Sequence, residues 1–130
     1  MTDSTLRAAP HTEAVVRARG LVVRTLRRWS LGDHEEPVMA IVAELVANAV
    51  RHAGTPLEVR LLRRPGGVRV EVHDRASQLP RLSVPRIEEE EHRGLLIVDH
   101  YASAWGADLL PGGKVVWAEI SAGAGTSRRP

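Results

Sequence analysis

Glu44, Asn48 and His52 recur at every fourth position of an otherwise apolar stretch, so they share one stripe of a helix, with Arg51 beside it. A carboxylate and a carboxamide in such surroundings need partners. One reading is internal: Glu44 pairs with Arg51 or with an arginine of the preceding helix, and Asn48 bonds to nearby backbone. The other is the floor of a site, where Glu44 polarises a hydroxyl or water and Asn48 offers an oxygen to a hard cation such as Mg2+. Asp74 ends an alternating run further on. It can accept hydrogen bonds from an exocyclic amine or close a turn on its own backbone. Arg93-Gly94 immediately precedes a second helical stretch, where free N–H groups and the helix dipole favour phosphate, although an ordinary helix start explains the glycine as well. Lys114, the only lysine in the chain, follows a glycine turn and is either a positioned charge or an exposed turn residue.

The elements that must position these residues follow from hydrophobic period. Val15, Ala18, Val22, Leu26 and Trp29 lie at three-to-four spacing among arginines, which predicts an amphipathic helix from Thr12 to Trp29. Leu31-Gly32-Asp33 ends it, and Asp33 is placed to cap a second helix running to Ala53, broadly apolar through Val38, Ile41, Val42, Leu45, Val46, Ala49 and Val50. Gly54 stops that helix. The period then changes to two: Leu57, Val59 and Leu61, and after Pro65-Gly66-Gly67, Val68, Val70 and Val72, alternate with charged residues as in an antiparallel hairpin. From Arg75 to Arg93 the periodicity fails, with two prolines and the acidic run Glu88 to Glu91, so a long lid-like loop is expected there. A short helix from Leu95 to about Ala104 follows, then strands Ala107–Leu110 and Val115–Ile120 around Pro111-Gly112-Gly113. Leu6 to Ala9 suits an edge strand. The pattern gives an α+β two-layer fold: a segment 1–11, one domain over 12–120 and a tail over 121–130.

Composition narrows the chemistry. The chain has 130 residues, of which 43% are hydrophobic and 26% charged, and it has no cysteine, so disulfides and thiol catalysis are excluded. Aromatic residues make up only 3%, too few for base-stacking platforms. A net charge of +2 leaves the basic pI without the meaning of a nucleic-acid signature. The six histidines are scattered away from metal-binding helical spacing, which disfavours a metallohydrolase. No apolar run spans a bilayer and the polar start lacks signal-peptide order, so a cytoplasmic protein is expected.

Glu44-Leu45-Val46-Ala47-Asn48-Ala49-Val50-Arg51-His52-Ala53-Gly54, Arg93-Gly94-Leu95-Leu96-Ile97-Val98-Asp99, and Trp105-Gly106 with Pro111-Gly112-Gly113-Lys114-Val115-Val116-Trp117, taken in that order, resemble the GHKL (histidine-kinase-like, Bergerat) ATPase superfamily. Within it they resemble the small anti-sigma factor serine/threonine kinases and their actinobacterial relatives, over Thr12 to Ile120. The resemblance implies helices on one face of a mostly antiparallel sheet, with ATP and Mg2+ bound between the layers. By position, Glu44 is implied as general base and Asn48 as the Mg2+ ligand. Asp74, with Ala76 in the adenine loop, is implied as acceptor of the adenine amine; Arg93, Gly94 and Leu95 lie near the phosphates, His52 supports the site, and Val115 lies near the adenine. The implied activity is phosphorylation of a serine on an anti-anti-sigma (STAS-type) partner and sequestration of a sigma factor, with homodimerisation also within the family's habits.

The chain departs from the family's pattern at four places. The adenine loop Asp-x-Gly-x-Gly reads Asp74-Arg75-Ala76-Ser77-Gln78, without either glycine; His92 stands where a phosphate-loop glycine is common; and Val115 replaces a threonine that helps to position adenine. These departures keep open an alternative, a non-catalytic interaction module on the same fold. Direct DNA binding through the arginines of the first helix is disfavoured by the apolar stripe between them.

Overall fold

The computed structural model describes residues 3–77 and 90–121, the side chains of the second stretch from residue 96 onward. Its elements run β1 (Ser4–Ala8), α1 (Glu13–Arg28), α2 (Glu35–Asn48) continued by a π-helical turn (Ala49–Ala53), β2 (Leu57–Arg64), β3 (Gly67–Asp74), α3 (Glu90–Tyr101), β4 (Ala104–Leu110) and β5 (Gly113–Ser121). The five strands form one sheet in the order β1-β2-β3-β5-β4, with every neighbouring pair antiparallel. This is the expected α+β two-layer architecture. The calls on Gln78 and on the tail beyond Ser121 fall outside the described residues.

The core lies between the helices and one face of the sheet. Val59 and Leu61 of β2, Val68, Val70 and Val72 of β3, and Ala118 and Ile120 of β5 are buried at alternate positions, as the pleat requires. Against them α1 packs Ala14, Ala18, Leu21, Val22 and Leu26, and α2 packs Val38, Ile41, Val42, Leu45 and Val46. The helix α1 runs to Arg28 with Trp29 as its C-cap, and Ser30 closes it. Ser30 adopts a left-handed φ of 60°, the Ser30 amide bonds the Arg27 carbonyl, and the Leu31 amide bonds the Leu26 carbonyl at 2.8 Å. This is a Schellman closure, with Leu31 folded back onto the core. Asp33 makes no cap, because a short 3-10 turn (Gly32–His34) carries the chain into α2.

Each Pro-Gly pair turns a two-residue hairpin, with Gly66 at φ 86° and Gly112 at φ 83° as a type II turn demands. The third residue of the second motif does something else. A Cβ on Gly113 would stand 2.0 Å from the carbonyl oxygen of Asp74, so only glycine lets the start of β5 close on the end of β3.

The outer face of the sheet has no helix on it among the described residues and satisfies its charges laterally. Arg69 bonds Glu71 at 2.8 Å on its own strand and Glu119 at 2.8 Å on β5, and its guanidinium lies 4.5 Å from the centroid of the Trp117 ring. His73 Nε2 meets the second oxygen of Glu71 at 2.9 Å. Burial alone would push the Glu71 carboxyl up, but the hydrogen bonds from His73 and Arg69 and the arginine's charge outweigh it and hold the group below its ordinary value of 4.5. The stability Glu71 contributes is therefore complete above that ordinary value and is lost as the pH falls through the lower folded value. Urea unfolding followed from about pH 6 to about pH 3 should show a steeper acid loss in the wild type than in Glu71→Gln, which is already the less stable at pH 6.

Candidate functional site

The helix α2 turns its apolar face to the sheet and leaves Glu44 and Asn48 half-buried on a line of their own. Among the described residues Glu44 has no hydrogen-bond or ion-pair partner, and Asn48 has one: Arg51 Nη2 donates to Asn48 Oδ1 at 2.7 Å. The sequence reading offered Arg51 to Glu44 as one alternative; the arginine instead takes the carboxamide three residues before it. After Asn48 the helix widens into the π turn and ends where Gly54, at φ 62°, bonds the Ala49 carbonyl at 3.3 Å. His52 lies in that wider turn and is exposed.

Asp74 closes β3 on the helix-facing side of the sheet, in phase with Val68, Val70 and Val72. Its partner in register on β5 is Lys114, whose Nζ donates to Asp74 Oδ1 at 2.9 Å. The Asp74 side chain is 1% and the Lys114 side chain 7% exposed, which makes this a desolvated ion pair. The same Oδ1 accepts the Ala76 amide at 2.8 Å. The two sequence readings of Asp74, turn closure and ligand acceptor, are thus compatible, since the turn uses one oxygen. The Arg75 amide donates to Thr55 Oγ1 at 3.0 Å, tying the end of β3 to the loop that leaves the π turn. The end of α2 and the end of β3 therefore meet at one edge of the two layers.

Val115 pairs with His73 in register and so faces away from Asp74, on the outer side of the sheet. The residue on the Asp74 side is Lys114. The resemblance implied position 115 near the adenine; the pleat, counted from Val116 opposite core Val72, puts position 114 on the Asp74 side instead.

The helix α3 begins at Glu90, earlier than the expected start at Leu95. Gly94 and Leu95 therefore lie inside the helix and not at its start. At its other end Val98 is fully buried, Asp99 accepts from the Trp105 indole at 3.2 Å, and the Tyr101 hydroxyl reaches Glu36 at 3.4 Å. Tyr101 thereby sits at the start of α2. The side chains of Arg93 and Leu95, and that of His92, are outside the described set.

The donor set suits Mg2+ in kind. The carboxamide oxygen of Asn48 is a hard ligand, and the arginine on it is exposed and free to exchange its partner.

A sheet covered on one face by helices, with a buried carboxylate at the strand end beside a Glu/Asn helix, defines an ATPase fold of the GHKL type. The family model for the histidine kinase-like ATPase domain matches residues 8–120, and the chain belongs to that family of ATP-binding domains. No curated protein matches the chain. Among the described residues no helix is long and apolar enough to cross a membrane.

Removing the lysine alone strands a buried carboxylate. Lys114→Met should lower unfolding stability by about 3–5 kcal/mol, and Asp74→Asn combined with Lys114→Met should recover most of that loss, measured by urea denaturation.

Proposed function

We propose that the protein is a cytoplasmic Mg-ATP-dependent regulator of the anti-sigma serine/threonine kinase kind, which phosphorylates a serine of a STAS-type anti-anti-sigma partner and holds a sigma factor. The observation that carries the reading is the buried Asp74 carboxylate, fixed at the strand end that adjoins the end of the Glu44/Asn48 helix. The family match, which spans residues 8–120, favours it over a module that has lost its nucleotide.

Within this reading each side chain has a task its surroundings allow. Asp74 accepts the adenine amine. Glu44, half-buried and without a partner among the described residues, is free to take a proton from the attacking serine hydroxyl. Asn48 holds Mg2+ once Arg51 lets go of its oxygen, and Arg51 is then available to a phosphate. Mg2+, when bound there, would neutralise charge on the transferring phosphate. Arg93, Gly94 and Leu95, in the N-terminal half of α3, are assigned to the same phosphates. Ala76 in place of glycine adds a methyl beside the base loop, while its amide is already spent on Asp74.

Calorimetric titration with Mg-ATP, followed by a phosphoryl-transfer assay on a STAS-domain partner, separates these roles. Asp74→Asn should weaken binding at least about tenfold, whereas Glu44→Ala should bind normally and lose transfer by about 10²- to 10⁴-fold. Two variants that behave like the wild type would sink the assignment.

A further inference from the structure

We propose that Lys114 is a base-contacting, specificity-determining residue: together with Asp74 it forms an acceptor and donor side by side that read the edge of a 6-aminopurine, the carboxylate taking the exocyclic amine and the ammonium donating to the adjacent ring nitrogen N1. The proposal rests on Asp74 being the adenine acceptor, and it adds a second contact from a different strand.

The atom count supports it. Asp74 Oδ1 already accepts from Lys114 Nζ at 2.9 Å and from the Ala76 amide at 2.8 Å, which fills its two lone pairs and leaves Oδ2 for a ligand amine. An ammonium has three N–H donors, and among the described residues Lys114 spends one, on Asp74. Its side chain is 7% exposed, so water is a poor outlet for the other two. An acceptor brought in beside the Asp74 carboxylate fills that need, and N1 of adenine is the acceptor next to the amine. Val115, on the other face of the sheet, makes no such contact. Gly113 holds the arrangement, since its missing Cβ is what lets the lysine strand approach the aspartate strand at this end.

The test compares ATP with 1-deaza-ATP, which keeps the amine and replaces N1 by CH, using the full chain with Mg2+ and calorimetry. The wild type should bind 1-deaza-ATP about ten- to a hundredfold more weakly. Lys114→Met should bind the two nucleotides alike, and Lys114→Arg should retain the preference. A second readout needs no variant: Lys114 is the only lysine, so in lysine-labelled wild type the one side-chain ammonium signal should shift with ATP and not with 1-deaza-ATP. Equal binding of both nucleotides by the wild type, a preference that survives in Lys114→Met, or a lysine signal that ignores ATP overturns the proposal and leaves Asp74 as base acceptor. Wild-type protein that binds neither nucleotide overturns both, whereas a 6-deamino analogue that binds as tightly as ATP overturns the Asp74 reading alone.

Discussion

A carboxylate and an ammonium 2.9 Å apart, both withdrawn from water, are the constraint around which the ligand end of this fold is arranged. Each charge is costly to bury alone, and together they are tolerated only if geometry and the remaining hydrogen bonds are good. The fold meets that requirement by register. Asp74 and Lys114 are opposite one another on β3 and β5, the glycine before Lys114 removes the atom that would hold the strands apart, and the Ala76 amide takes up the rest of Oδ1. The carboxylate is left with one oxygen in a defined direction, which is what recognition of an amine requires.

The second half of the site is built on a helix and tied to the first by a loop. Thr55 accepts the amide of Arg75, so the exit from the π turn and the exit from β3 cannot move independently. Asn48 is the last residue of α2, half-buried and held by Arg51, and His52 lies exposed in the π turn that follows. The Arg51–Asn48 contact is exposed, so the arginine can exchange this partner for another. The acidic and basic partners of the outer sheet face, by contrast, are spent on one another, with Glu71 between Arg69 and His73.

Much of this was legible in the sequence because hydrophobic period is a strong signal. The five strands and three α-helices were each anticipated, down to Gly54 as the end of the second helix. What was missed has local physical causes. The stop of α1 at Ser30 depends on a non-glycine residue taking a left-handed conformation, which composition does not announce. The start of α3 at Glu90 lies in an acidic run with no apolar period, although acidic residues in a first turn favour the helix dipole. The side of the sheet that Lys114 occupies follows from pleat parity with Val116, whereas the resemblance, which matches residues by position, pointed to Val115. The π turn that holds His52 leaves no periodic trace, because five residues of wider helix look like continued helix in one dimension.

The most direct measurement is a crystal structure of the protein with Mg2+ and a non-hydrolysable ATP analogue. The account predicts the adenine amine on Asp74 Oδ2 with Lys114 Nζ within hydrogen-bond distance of N1, and Asn48 Oδ1 turned from Arg51 to the metal. A base bound elsewhere, or Lys114 displaced outward with Asp74 bonded to the nucleotide by itself, would contradict it.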